Sequence, residues 1–80
     1  MIKATTSHGT YYLIDENKYR AKRFPAPDRG ELLTDNDWFN FRSWSGVKVG
    51  ETMHFNIIGH SFYDWQRTTP VVSVEDVEDE

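Results

Sequence analysis

Every apolar run in this chain is short, and none repeats with a convincing helical period. Residues 52–58 show the prevailing pattern: Met53, Phe55 and Ile57 alternate with Thr52, His54 and Asn56, so one face is apolar and the other polar. Such two-residue alternation fits a strand with one side on a core. The same reading extends along the chain. Residues 2–6 and 10–15 are rich in β-branched and aromatic side chains, and Ser7-His8-Gly9 between them reads as a hairpin turn. Asp15-Glu16-Asn17 turns the chain into 18–24, where Tyr19 and Ala21 alternate with Lys18, Arg20 and Lys22. Pro25 and Pro27 end that strand, because proline cannot donate to a ladder.

Residues 25–37 then form the one long loop, and long loops in small domains are candidate functional elements. Residues 38–44 admit two readings. As a strand, Phe39 and Phe41 face one way and Trp38, Asn40, Arg42 and Trp44 the other. As a short helix capped by Thr34 or Asp35, Trp38, Phe41 and Trp44 recur at three-residue spacing. The strand is preferred. Ser45-Gly46, Val49-Gly50 and Gly59-His60-Ser61 are turns, residues 62–69 pair back on 52–58, and Pro70 precedes a last strand over 71–75 with Val72 and Val74 on one face. Six to seven short strands and no long helix predict an all-β domain. A small antiparallel barrel, SH3-like or Sm-like, is preferred to a two-sheet sandwich, because closure removes edges that so small a protein cannot otherwise protect.

With 80 residues there is room for one core, and with no cysteine there is neither a disulfide framework nor thiol chemistry. The first residues lack a signal peptide's apolar segment, and no apolar run approaches the roughly 20 residues of a membrane helix, so a soluble cytoplasmic protein is expected. The net charge of −4 is unevenly distributed. Residues 75–80 hold five of the 13 acids and no base, which leaves residues 1–74 at +1. Residues 1–75 therefore read as a single domain and 76–80 as a disordered acidic tail.

Nothing has the spacing of a catalytic motif. The histidines, His8, His54 and His60, do not converge in sequence with carboxylates, so neither an enzyme, a metal site nor a cofactor is expected. Two surfaces remain. Twelve aromatic residues exceed what a core this small needs, even with Tyr12, Tyr19, Phe41 and Phe55 inside. Trp38, Trp44, Phe62 and Trp65 are the candidates for a partner-binding or self-associating surface. The second surface is the basic strand: Lys18, Arg20 and Lys22 on one face, joined at its end by Arg23, with Tyr11 on the neighbouring strand. Cations beside rings suit single-stranded nucleic acid, with charges for phosphates and rings for bases.

Several stretches carry a resemblance. Thr5-Thr6-Ser7-His8-Gly9-Thr10-Tyr11, the Arg20…Arg23 strand, Val47-Lys48-Val49-Gly50-Glu51-Thr52-Met53 and Thr68-Thr69-Pro70-Val71-Val72-Ser73-Val74-Glu75 resemble small uncharacterised proteins of actinobacterial phages, mycobacteriophages among them. The resemblance implies a phage accessory protein acting in a bacterial host cytoplasm, and it transfers no activity. Gly9, Asp15 and Asn17 also echo Sm-like RNA-binding barrels. There the asparagine follows the aspartate at a greater distance, and an Arg-Gly stands where this chain has Ile58-Gly59, so that likeness concerns fold more than RNA. The leading expectation is a non-enzymatic module that binds a host or phage protein, or a second copy of itself, through exposed aromatics. Nucleic-acid binding by the basic strand is the alternative.

Overall fold

Alternation along the chain becomes seven antiparallel strands in one sheet: β1 (Ile2–Thr6), β2 (Tyr11–Asp15), β3 (Arg20–Phe24), β4 (Trp38–Trp44), β5 (His54–Ile58), β6 (Trp65–Arg67) and β7 (Val71–Asp76). The computed structural model describes residues 1–26, 37–59 and 64–78. The sheet order is β6-β5-β4-β3-β2-β1-β7, and there is no helix among the described residues. The two ends of that order meet through residues 50–53 and 68–71. Thr68 N–H donates to the Met53 carbonyl, Val71 N–H to the Glu51 carbonyl and Gly50 N–H to the Val71 carbonyl, at 2.9, 2.9 and 2.8 Å. The chain leading into β5 thus bonds to the kinked connection between β6 and β7, while β7 pairs with β1. The sheet rolls into a small barrel whose least extent, 24 Å, far exceeds a single layer about 10 Å thick.

Residues whose alternation points inward fill the barrel. Ile14, Phe41, Met53, Phe55 and Val71 are the largest fully enclosed side chains. Burying each such side chain contributes about 1.5–3 kcal/mol. Phe55 is the hub: Phe41, Phe39, Trp44 and Tyr12 rings lie 5.3, 5.5, 5.6 and 5.9 Å from its own. The apolar face expected over residues 52–58 is the buried one.

Four expectations need correction. Trp44 does not share the outer face with Trp38. Phe41 stands opposite Ile57 and Ser43 opposite Asn56, so Arg42 is an extra, unpaired residue in β4. This bulge reverses parity beyond it and turns Trp44 inward, where its ring stacks on Phe55 at 7° between planes. Tyr19 is not a core residue of a strand starting at 18. It ends a turn in which Lys18 N–H donates to Asp15 Oδ1 (3.2 Å), takes φ +52° and is 53% exposed, its ring lying over Phe41 at 5.5 Å. The strand expected over 62–69 is described only as Trp65–Arg67, and Phe62 lies outside the described residues. Finally, the sheet does not stop at 75. Asp76 faces Ile2, while Val77 N–H donates to the Met1 carbonyl and the Met1 amine to the Val77 carbonyl, at 2.9 and 3.2 Å.

Candidate functional site

The outer surface of β1–β4 collects side chains that alternation sends away from the core. In register, Tyr11 faces Phe24, Leu13 faces Lys22, and Lys22 in turn faces Trp38. Cross-strand neighbours on one face lie about 5 Å apart, close enough for rings and long cations to touch. They do so in sequence across the sheet. Lys3 Nζ lies 4.7 Å from the Tyr11 ring centre, and Tyr11 stacks on Phe24 at 4.7 Å with 13° between planes. Lys22 Nζ lies 5.8 Å from Phe24 and 4.7 Å from Trp38, and the Arg20 guanidinium lies over Trp38 at 4.3 Å. The result is a strip of three rings and three cations: Lys3, Tyr11, Phe24, Lys22, Trp38, Arg20.

The charges in the strip are held differently. Arg20 Nε is 3.7 Å from Asp15 Oδ2, an ion pair too long for a hydrogen bond, and that buried nitrogen has no hydrogen-bond partner. Lys3 faces Glu75 of β7 in register. Lys22 lies against the Phe24 and Trp38 rings. Each cation–ring contact at such half-buried positions contributes about 0.5–1 kcal/mol, enough to orient the side chain.

The strip unites residues that sequence reasoning had put on separate surfaces. Tyr11, Arg20 and Lys22 of the basic strand join Trp38 of the aromatic set. Lys18 is exposed in the turn before β3. Arg23 is not part of the strip: it pairs with Tyr12 on the inner parity of β3 and lines a cavity at the barrel's end. Phe24, Lys3 and Arg20's contact with Trp38 follow from register, which the sequence alone did not supply.

Trp65 forms a separate feature on β6. It is 59% exposed and its ring is parallel to that of His54, 5.8 Å away. Asn56 ties this corner together: its amide donates to Ser43 Oγ at 2.7 Å, and its Oδ1 lies 3.2 Å from His54 Nε2. Trp44, being half-buried against Phe55, belongs to neither surface. Among the described residues no group of three or more His, Cys, Asp or Glu side chains could hold a metal ion, and no helix is long and apolar enough to cross a membrane.

Comparison with known proteins adds a limited likeness. No family model matches the chain, and no solved structure matches it. Over 68 residues, 82% of this chain, it is 31% identical to B3 domain-containing protein REM-like 1 of Arabidopsis thaliana. The chain spans 8% of the length of that protein.

Proposed function

We propose that this protein is a non-enzymatic binding module, a phage accessory protein of the host cytoplasm as the resemblance implies, whose β1–β4 strip takes single-stranded nucleic acid. The observation that carries the reading is the alternation of rings and cations across adjacent strands: Lys3, Tyr11–Phe24, Lys22, Trp38 and Arg20. Unpaired bases offer faces that stack on Trp38 and on the Tyr11–Phe24 pair, and the interleaved cations meet the phosphates between them. Bases in a duplex are already stacked on one another, so the strip selects single strands.

The test is binding of a fluorescent oligothymidylate measured against salt. With Lys3, Arg20, Lys22 and Lys18 supplying three to four phosphate contacts, the logarithmic salt slope is about −2 to −3. Affinity then falls about 20- to 50-fold between about 50 and 200 mM salt. Lys22→Gln reduces the slope by about 0.7, whereas Trp38→Leu weakens binding by about 1–3 kcal/mol and leaves the slope alone. Absence of binding, or a slope near zero, refutes the reading.

One observation favours a second reading, a protein partner or second copy docked on Trp65. A tryptophan this exposed, backed by His54 and a hydrogen-bonded Asn56, has the make-up of an interface anchor. Trp65→Ser abolishing a salt-insensitive, nuclease-resistant association, with oligonucleotide binding absent, selects it.

A further inference from the structure

We propose that the cavity at the end of the barrel is a binding site for a phosphate monoester, separate from the outer strip. It has a volume of about 280 Å³, and among the described residues its basic lining is Arg23, Arg67 and His8. That is room for about nine waters at roughly 30 Å³ each, enough for a phosphate and part of what it esterifies. Among the described residues no carboxylate lines it. The three basic residues come from three elements, Arg23 from β3, Arg67 from β6 and His8 from the turn after β1. Only the closed barrel brings them together.

The floor is polar and buried. Gln66 Nε2 donates to Tyr12 Oη at 2.7 Å, joining β6 to β2 across the barrel end, and these residues are 8% and 2% exposed. Thr10 Oγ1 accepts the Ala26 N–H at 3.2 Å, which leaves its own proton for a ligand, and Thr10 is 6% exposed. Thr6 and Thr68 spend their hydroxyl protons on the Thr10 and Thr69 carbonyls, at 2.9 and 2.7 Å, so those walls are held rigid. Guanidinium groups pair with phosphate oxygens through two parallel N–H bonds, a geometry that favours phosphate over a lone halide. The Tyr12–Gln66 floor closes the cavity on its inner side, so it suits a terminal phosphate rather than a strand passing through. It shares no residue with the strip, because Lys22 and Arg23, adjacent in sequence, point to opposite sides of the sheet.

Two sources offer this group: the 5′ end of a nucleic-acid strand, and a free small-molecule monoester. The site is read by backbone amide NMR of the intact chain titrated with inorganic phosphate. Saturable shifts are expected at Thr6, His8, Thr10, Thr68 and Thr69, weakened at least about tenfold by Arg67→Gln. His8→Asn, in an exposed turn, gives a second variant whose folding is not at stake. Lys22→Gln leaves the shifts unchanged, and Arg67→Gln leaves unchanged the salt slope for an oligonucleotide without a 5′ phosphate, so failure of either site is seen separately from failure of the other. An oligonucleotide preferred when 5′-phosphorylated identifies a strand end. A nucleoside 5′-monophosphate preferred to its nucleoside, with no such preference among oligonucleotides, identifies a small ligand. Both outcomes support the site. Shifts that never saturate, that spread over Lys3, Lys18 and Lys22, or that survive both Arg67→Gln and His8→Asn overturn it.

Discussion

Phe55 has no exposed surface and touches four other rings, so its removal tests the barrel core directly. Phe-to-Ala changes in cores cost about 3–5 kcal/mol. Aromatic pairs add about 0.5–1.5 kcal/mol beyond burial, which puts Phe55→Ala in the upper part of that range. At about 0.05–0.15 kcal/mol per residue, 80 residues give a total stability of about 4–12 kcal/mol. Phe55→Ala therefore removes a large share of it, and Phe55→Leu is the variant in which a folded population is retained. Leucine keeps most of the buried area but loses the ring contacts, for about 2 kcal/mol. In a domain of this size that lowers the thermal midpoint by about 8–16 °C. Urea melts should show a lower midpoint concentration with an unchanged slope, since the native surface is nearly the same. Trp44, stacked on Phe55, reports the change through its emission. A loss below about 1 kcal/mol in Phe55→Ala, with Trp44 emission unaltered, would mean that Phe55 is not the hub and that the inner face is wrongly assigned.

The buried Gln66–Tyr12 pair gives a double-mutant cycle: Gln66→Leu or Tyr12→Phe alone costs about 0.5–1.5 kcal/mol through the lost hydrogen bond, and the double variant costs less than the sum. Denaturant melts of the three variants measure the coupling, and strict additivity would count against the bond. Ending the chain at 77 should leave the thermal midpoint within about 2 °C, because the described pairing of β7 with β1 lies at or before Val77. Ending it at 75 also removes Asp76 and Val77 with their pairing to Ile2 and Met1, and should lower the midpoint by about 4–8 °C, a loss of about 1 kcal/mol. Equal midpoints for the two truncations would show that the last pairs of β7 contribute nothing.

The parts of the fold legible in the sequence are those governed by neighbours along the chain. Residues 52–58 and 10–15 carry their faces in plain alternation, and Gly9 marks its turn because the backbone there takes φ +88°. What alternation cannot convey is a change of phase. Arg42 is an ordinary exposed residue, and nothing about it announces that β4 slips one position there, yet that slip moves Trp44 from surface to core. Tyr19 misleads for a related reason. Its aromatic ring suggests a strand, but the Asp15 carboxylate captures the Lys18 amide and holds the turn open for two more residues. Gln66 could not be recognised as buried because its partner, Tyr12, lies 54 positions away. The cavity is illegible in sequence for the same reason: His8, Arg23 and Arg67 belong to three separate segments and become neighbours only on closure.

The two candidate sites follow from one property of a rolled sheet. Adjacent residues of a strand face opposite sides, so a run of basic residues is divided between them. In Arg20-Ala21-Lys22-Arg23, Arg20 and Lys22 go outward to Trp38, Ala21 fills the core opposite Phe39, and Arg23 goes inward. A guanidinium on the inner side in mid-strand would meet the Phe55 cluster and carry a large desolvation cost. Arg23 avoids this because it lies one register step from the strand's end, opposite Tyr12, where the barrel opens and threonine hydroxyls replace apolar side chains. The inner wall thus passes from Ala21 to Arg23 in a single alternation, from dry core to polar cavity. Its outer counterpart keeps its cations over rings throughout. A basic strand that reads as one patch in sequence therefore supplies two surfaces with different chemistry: one outer and aromatic, the other recessed at the barrel's end and lined with hydroxyls.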